Sequence, residues 1–166
     1  DHFLQLSDRK VMTDIEQETI IRDIISDPKF ADIKPMGKPD AYESSIIRSI
    51  EESKRQAMTP DMVRQHIAHE IDRIEKDPES ISTRGATKGQ LKADAKESIE
   101  KCKRTLLFAD VYELYETKKA EAKKLDFSDL IIELLVTLRG DELLLRLIQE
   151  RFLYILVDEH QDTNDA

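Results

Sequence analysis

A long stretch without glycine or proline, from about residue 90 to residue 124, constrains the fold of this chain most. Apolar side chains recur in it at the spacing of one helix face. They are Leu106, Leu107, Val111, Leu114 and Tyr115. Because no residue in the stretch breaks backbone hydrogen bonding, it predicts a single long helix.

Shorter helices are predicted on both sides of this stretch. Their apolar positions again follow a helical period, and residues that can cap free backbone N–H groups stand at the expected starts. We expect helices at about 14–25, 40–57, 60–77, 126–139 and 141–151. The apolar positions predicted for the first of them are Ile15, Ile20, Ile21, Ile24 and Ile25.

Composition agrees with a helical protein. Charged residues make up 37% of the 166 residues and aromatic residues only 5%, which favours solvated helices over a β-sandwich. The length predicts one domain plus part of a second. A single cysteine, Cys102, excludes an internal disulfide, and no terminal apolar stretch resembles a signal peptide or a membrane span. We therefore expect a cytoplasmic location and no membrane partner.

An apolar run near the end of the sequence, 153–157, leads directly into two acids, Asp158 and Glu159. Such a run predicts a buried parallel strand, and the carboxyl ends of these strands are where open α/β sheets bind ligands. Asp158 could hold Mg²⁺ beside nucleotide phosphates, and Glu159 could orient and deprotonate a water. Gln161 could bridge that water or a γ-phosphate. The alternative is an acidic turn after a buried strand.

The segment 158–164, Asp-Glu-His-Gln-Asp-Thr-Asn, closely resembles the Walker B segment of the UvrD/Rep family of superfamily 1 DNA helicases. The similarity continues at 125–131, which looks like the Asp-Phe-x-Asp-Leu signature of that family. It extends to Tyr112, Tyr115 and Lys118-Lys119, which are similar to the helix before that signature. Weaker similarities occur at Glu16-Gln17-Glu18, at Ser53-Lys54-Arg55 and at Thr59-Pro60.

The resemblance implies a mainly α chain, with a helical accessory domain followed by one strand of an incomplete RecA-like α/β motor domain. Residues 1–125 would form the accessory domain, which is inserted into the first motor domain. Residues 126–151 would be helices that lead back to the motor domain, and 152–166 would be part of that domain with its Walker B segment.

The same resemblance implies a function for the parent protein. It would be an ATP-dependent DNA helicase that moves 3′ to 5′ and couples Mg-ATP hydrolysis to DNA unwinding, in repair or replication. ATP and Mg²⁺ would be its cofactors. Its partners would be single-stranded and forked DNA and the remaining helicase motor domains.

Two features depart from the family pattern. His160 stands where the family commonly has an aromatic residue, and packing is the simplest role for it. The sequence also has no Gly-x-x-x-x-Gly-Lys-Ser/Thr loop, whose backbone N–H groups and lysine bind phosphates. We therefore interpret the sequence as a fragment with half of a nucleotide site, and we expect it not to hydrolyse ATP alone.

The net charge of −9 is unusual for a DNA-binding domain, so the distribution of the cations matters. On a helix, Lys88, Lys92, Lys96 and Lys103 would share an arc of about 80°. This lysine stripe could follow a nucleic-acid backbone. The alternative is a solvated helix face balanced by Asp94, Glu97 and Glu100.

Two other functional classes remain open at this point. A helicase–nuclease that processes double-strand breaks would have a similar Walker B segment. A non-catalytic helical interaction module would carry the acidic tail by chance. Sequence beyond residue 166 would separate the first from a simple helicase, and a phosphate-binding loop in the parent would exclude the second.

Overall fold

The computed structural model describes residues 8–33, 42–84 and 87–158, and 75% of these residues are helical. The α-helices are α1 (Asp14–Ile25), α2 (Tyr42–Arg55), α3 (Pro60–Lys76), α4 (Ala93–Glu121), α5 (Phe127–Gly140) and α6 (Glu142–Arg151). Short 3₁₀ helices lie at Pro28–Ile33 and Pro78–Ser80, and two short strands are β1 (Lys10–Val11) and β2 (Lys124–Leu125). The prediction of a mainly α chain with one long helix is confirmed.

The helices begin where the sequence supplies capping side chains. Thr13 caps α1, and Thr59 caps α3 directly before a proline that lacks an N–H group. Asp126 caps α5, and Asp141 caps α6. Capping side chains satisfy backbone donors that have no partner within the helix. These four starts agree with the predicted ones.

The main core lies where α1, α2 and α4 meet the 3₁₀ helix Pro28–Ile33. Its largest fully buried side chains are Tyr115, Phe30, Ile21, Ile50 and Val111. Ile21, Ile24 and Ile25 are buried as their spacing predicts. Ile15 is 75% exposed, so it is not part of the core. It lies in the first turn of α1, and at about 100° per residue it points roughly 125° away from the face that carries Ile21, Ile24 and Ile25.

The two strands form a parallel pair that no pattern in the sequence predicts. Lys10 pairs with Lys124 and Val11 with Leu125. The backbone N–H of Met12 donates to the carbonyl oxygen of Leu125 over 2.7 Å. Lys123, just before β2, has a φ of 52°, the left-handed conformation that reverses the chain after α4. The pair thereby fixes the position at which α5 starts.

The predicted buried strand at 153–157 does not form in this structure. Its five side chains are between 56% and 97% exposed, and the backbone has no strand partner within the described residues. A strand needs a neighbouring strand to satisfy its backbone groups and a layer on each face to bury its side chains. The described part of the chain supplies neither.

No α-helix within 8–33, 42–84 and 87–158 has the length and apolarity needed to cross a membrane.

The core assignment gives a paired test of stability. Ile50 is 1% exposed and Ile15 is 75% exposed, and both are isoleucines on helices. We expect Ile50→Ala to lower the free energy of unfolding by about 2–5 kcal/mol, because it removes buried methyl groups and leaves a cavity. Ile15→Ala should change it by less than about 0.5 kcal/mol. Urea denaturation measures both, and equal losses would contradict the core described here.

Candidate functional site

A cluster of charged side chains lies inside the protein where α2, α4 and α5 meet. It contains two lysines and three carboxylates, Lys54, Lys119, Glu116, Asp126 and Asp129, which we call the buried ion cluster. The side chains of Lys54 and Asp126 are only 3% and 4% exposed. Burying charges is unfavourable unless they are paired, so the geometry of the cluster must be close.

Each ammonium group contacts all three carboxylates. The Lys54 Nζ atom lies 2.5 Å from Asp126 Oδ2, 2.7 Å from Asp129 Oδ1 and 2.7 Å from Glu116 Oε1. The Lys119 Nζ atom lies 3.0 Å from Asp126 Oδ2 and 2.7 Å from oxygens of Asp129 and Glu116. Two cations therefore share three anions, and α2 is connected to both α4 and α5.

Tyr115 lies beside the two lysine nitrogens and completes the environment. The Lys54 and Lys119 nitrogens are 5.7 Å and 5.3 Å from the centre of its ring, which is cation–π distance. Its hydroxyl lies 3.3 Å from both Gln17 Oε1 on α1 and Asp126 Oδ2, and can donate to either oxygen. Side chains from four helices thus meet around one aromatic ring.

Asp126 has two roles that use different oxygens. Its Oδ1 atom accepts the backbone N–H of Asp129 over 3.0 Å, which caps α5. Its Oδ2 atom accepts from both lysines. Asp129 completes a capping box, because its side chain accepts a hydrogen bond from the backbone N–H of Asp126 over 2.8 Å. The predicted capping role of Asp126 is confirmed, and its role in the ion cluster is additional.

Burial and charge act against each other on the acidity of these groups. Burial raises the pKa of Asp126, but the ammonium groups of Lys54 and Lys119 outweigh it and hold that pKa below its usual range. Burial would lower the pKa of Lys54, but Glu116, Asp126 and Asp129 raise it instead. Burial, followed by the charge of Asp126, raises the pKa of Tyr115. Lys54 and Asp126 are therefore charged near neutral pH.

The three carboxylates of the cluster could suit a cation, since oxygens from Glu116, Asp126 and Asp129 lie within 4.8 Å of one another. Carboxylate oxygens are suitable ligands for Mg²⁺ or Ca²⁺. The ammonium groups of Lys54 and Lys119 already occupy the space between these oxygens at hydrogen-bond distance. The cluster is therefore an internal salt-bridge network and does not need a metal ion.

The cluster brings together segments that only family similarity connects, and that similarity is weak at Gln17 and Lys54. Gln17, Lys54, Tyr115 with Lys119, and Asp126 with Asp129 come from four separate segments. The sequence does indicate that both lysines face the interior of the protein. Lys54 follows Ile50 by four residues, and Lys119 follows Tyr115 by four, so each lysine lies on the apolar face of its helix.

The residues predicted for ATP chemistry stand at the end of the described chain. Asp158 is described and exposed, directly after the exposed run 153–157. Glu159, His160 and Gln161 lie outside the described residues. The roles of Asp158, Glu159 and Gln161 therefore stay predictions.

The lysine stripe differs from its predicted geometry. Helix α4 begins at Ala93, after an isolated bridge between Ile81 and Leu91, so Lys88 lies in a turn and Lys92 is the N-cap residue. The prediction that all four lysines share one helix is thus wrong for these two. All four side chains are exposed, and Lys103 pairs with Glu100 at 2.7 Å. A role in DNA binding stays a prediction.

Comparison with known families identifies the chain. The model of the UvrD/REP helicase N-terminal domain matches residues 5–166, nearly the whole sequence. The chain belongs to the UvrD/Rep helicase family. No solved structure gives a significant match.

Several relatives in this family are named as ATP-dependent DNA helicases. Rep of Salmonella typhimurium is 41% identical over 88 residues, which is 52% of this chain and 13% of that protein. Rep of Escherichia coli is 35% identical over 87 residues, with the same coverage. UvrD1 of Mycobacterium tuberculosis is 41% identical over 58 residues, or 35% of this chain and 8% of that protein. The matched stretches are thus small parts of these UvrD/Rep proteins.

The buried ion cluster predicts a specific stability and pH response. Asp126→Asn removes the carboxylate that both lysines contact, so we expect it to lower the free energy of unfolding at pH 7 by about 3–5 kcal/mol. Because the pKa of Asp126 is lowered on folding, its contribution is present above about pH 4 and is lost as the pH falls through the folded pKa. The difference between wild type and variant should therefore shrink in acid.

Asp72→Asn is the matched control, since Asp72 forms an exposed pair with Lys76 at 2.7 Å. It should change stability by less than about 1 kcal/mol. Urea titrations at pH 7 and in acid make the measurement. A small loss for Asp126→Asn, or one that is the same at every pH, would contradict the charged cluster.

Proposed function

We propose that this chain is part of an ATP-dependent DNA helicase motor and carries the Walker B half of its nucleotide site. The observation that supports this most is the segment 158–164, which has the family's acidic sequence and lies within the region matched by the family model. The names of the UvrD/Rep relatives support the same activity. ATP and DNA would both be bound by the parent protein.

In this proposal, Asp158 holds Mg²⁺ and Glu159 is the general base. Carboxylate oxygens are the ligands that Mg²⁺ prefers, and the exposed side chain of Asp158 is reachable from solvent. Bound Mg²⁺ would neutralise charge on the nucleotide phosphates. Glu159 orients a water and takes its proton, and Gln161 positions that water or the γ-phosphate. On a strand of a complete motor sheet, adjacent side chains would point to opposite sides, so Asp158 and Glu159 could take separate roles.

We also propose the domain organisation implied by the family. Residues 1–125 act as the helical accessory domain, 126–151 lead back to the motor, and 152–166 belong to the motor itself. Exposure of the apolar run 153–157 supports this, because the side chains have the composition of a buried strand and no cover in the described structure. The remaining motor domains would provide that cover.

The DNA substrate follows from the same family membership. We propose that the parent moves 3′ to 5′ along single-stranded DNA, acts on forked DNA in repair or replication, and works in the cytoplasm. The buried ion cluster supports a mechanical link in such a protein, since it connects α2 and α4 of the proposed accessory domain to α5, which leads to the motor.

The general-base role of Glu159 gives a direct test in the full-length parent. Glu159→Gln keeps the size of the side chain but cannot accept a proton. We expect steady-state ATP turnover to fall by at least about a hundredfold, with nucleotide binding largely kept. Glu150→Gln, an exposed glutamate on α6, is the matched control and should leave turnover unchanged. Near-normal turnover of Glu159→Gln would remove this residue from the chemistry.

The isolated 166-residue chain gives a second test. The sequence has no glycine-rich loop with lysine, which supplies most contacts to nucleotide phosphates in this type of site. We expect no DNA-stimulated ATP hydrolysis by the purified chain in a phosphate-release assay. Turnover that is robust and disappears in Glu159→Gln would show that the chain holds a complete site.

A further inference from the structure

A groove between α2 and α4 concentrates positive charge on a chain that is acidic overall. Arg48, Arg55 and Arg104 line this groove together with one acid, Glu52. The groove has a volume of about 630 Å³, and we call it the arginine groove. All three side chains are exposed. Within the described part of the chain, Arg48 and Arg104 have no ion-pair partner, whereas Arg55 pairs with Glu52 at 3.0 Å. Two guanidinium groups are thus available to a ligand.

The arginine groove also contains an aromatic surface. Phe108 on α4 is half-buried and lines the groove one turn after Arg104. Its ring packs against that of Tyr112, with 6.2 Å between ring centres, so its position is fixed from the protein side. A flat apolar ring in a groove that also holds cationic side chains suits a ligand that has both negative charges and flat rings.

The hydroxyl groups that line the groove do not offer hydrogen-bond donors to a ligand. Ser49, Ser53 and Thr105 each donate to a backbone carbonyl one turn earlier on their own helix, over 3.0 Å, 2.9 Å and 3.2 Å. The donors directed to a ligand are therefore the guanidinium groups. Their planar, forked geometry matches the oxygens of a phosphate group.

We propose that the arginine groove binds single-stranded nucleic acid, with Arg48 and Arg104 on backbone phosphates and Phe108 against a base. The inference extends the proposed function and rests on it for the choice of DNA as ligand. An acidic peptide would use the arginines but would leave Phe108 without a stacking partner. The lysine stripe is less suited, since it has no aromatic residue and Lys103 is paired with Glu100.

The central experiment measures binding of a fluorescent oligothymidylate to the 166-residue chain by anisotropy at several salt concentrations. Arg48→Ala/Arg104→Ala should weaken binding by at least about tenfold. It should also reduce the slope of log K against log salt by about 1.4, because each phosphate contact on a single strand contributes about 0.7. Arg48→Lys/Arg104→Lys should keep most of that slope, since the charges remain.

The matched control is Arg139→Ala/Arg151→Ala, which removes the same charge from two exposed arginines outside the groove that have no ion pair within the described residues. It should bind within about twofold of wild type. Glu52→Gln should bind about two- to fivefold more tightly, because it frees Arg55 and removes a negative charge. Such a gain cannot come from misfolding.

Phe108→Leu tests the stacking contact. It should weaken binding of oligothymidylate by about fivefold or more, and leave binding of an abasic strand of equal length unchanged. Circular dichroism of each variant confirms that the helices are intact. Displacement of the oligonucleotide by poly-glutamate at equal charge concentration would instead assign the groove to acidic peptides and overturn the proposal.

Three other results would also overturn it. The first is absence of binding by the wild-type chain. The second is an equal loss of binding in Arg48→Ala/Arg104→Ala and in the control Arg139→Ala/Arg151→Ala. The third is a loss confined to the variant in which Lys88, Lys92, Lys96 and Lys103 are replaced by alanine. The outcome is separate from the test of Glu159 in the parent. If Glu159→Gln abolishes turnover and the groove variants bind normally, only the groove assignment fails. The reverse pattern leaves a nucleic-acid-binding groove on a protein whose ATP chemistry is different.

Discussion

The contact between Lys54 and Asp126, two charged groups almost without access to water, sets the arrangement of the helices. A charge in this environment is tolerated only when its partner is held at hydrogen-bond distance. Since Lys54 is on α2, Lys119 on α4 and Asp126 at the start of α5, any shift of one helix against another separates charges in a medium of low dielectric constant. We infer that the main effect of the cluster is to specify one arrangement of the helices, and that its contribution to net stability is secondary.

The surrounding structure holds Asp126 in place for this contact. The short parallel pair of β1 and β2 fixes the residue just before it, and the left-handed conformation of Lys123 turns the chain back from α4. The cap on α5 then fixes one carboxylate oxygen and leaves the other for the lysines. Local backbone geometry and buried electrostatics therefore depend on the same side chain.

Features with a local physical signature were predictable from the sequence. The absence of helix breakers predicted α4, and the capping residues Thr13, Thr59 and Asp126 predicted helix starts, because these signals act over a few residues. Features that depend on contacts between residues far apart in the chain were not predictable from the sequence. The pairing of Lys10 with Lys124 and the meeting of Lys54 with Asp126 join segments that no periodicity connects.

The candidate site also has features that could be predicted from the sequence and features that could not. The acidic segment that begins at Asp158 was recognisable from its residue types. The strand predicted at 153–157 does not form, because burial of these residues needs partners that a local pattern cannot supply. The four residues of the lysine stripe do not share one helix, because α4 begins at Ala93, after Lys88 and Lys92. The arginine groove was invisible in the sequence, since Arg48 and Arg104 lie on different helices.

The exposed run 153–157 has a consequence for the behaviour of the chain in concentrated solution. Five consecutive apolar residues with free backbone edges are a template on which a second copy can add a strand and begin to aggregate. The four acids between Asp158 and Asp165 follow this run without a compensating base. Copies that align their runs also bring these acids together, so the carboxylates assigned to the proposed nucleotide site would also act as gatekeepers against self-association.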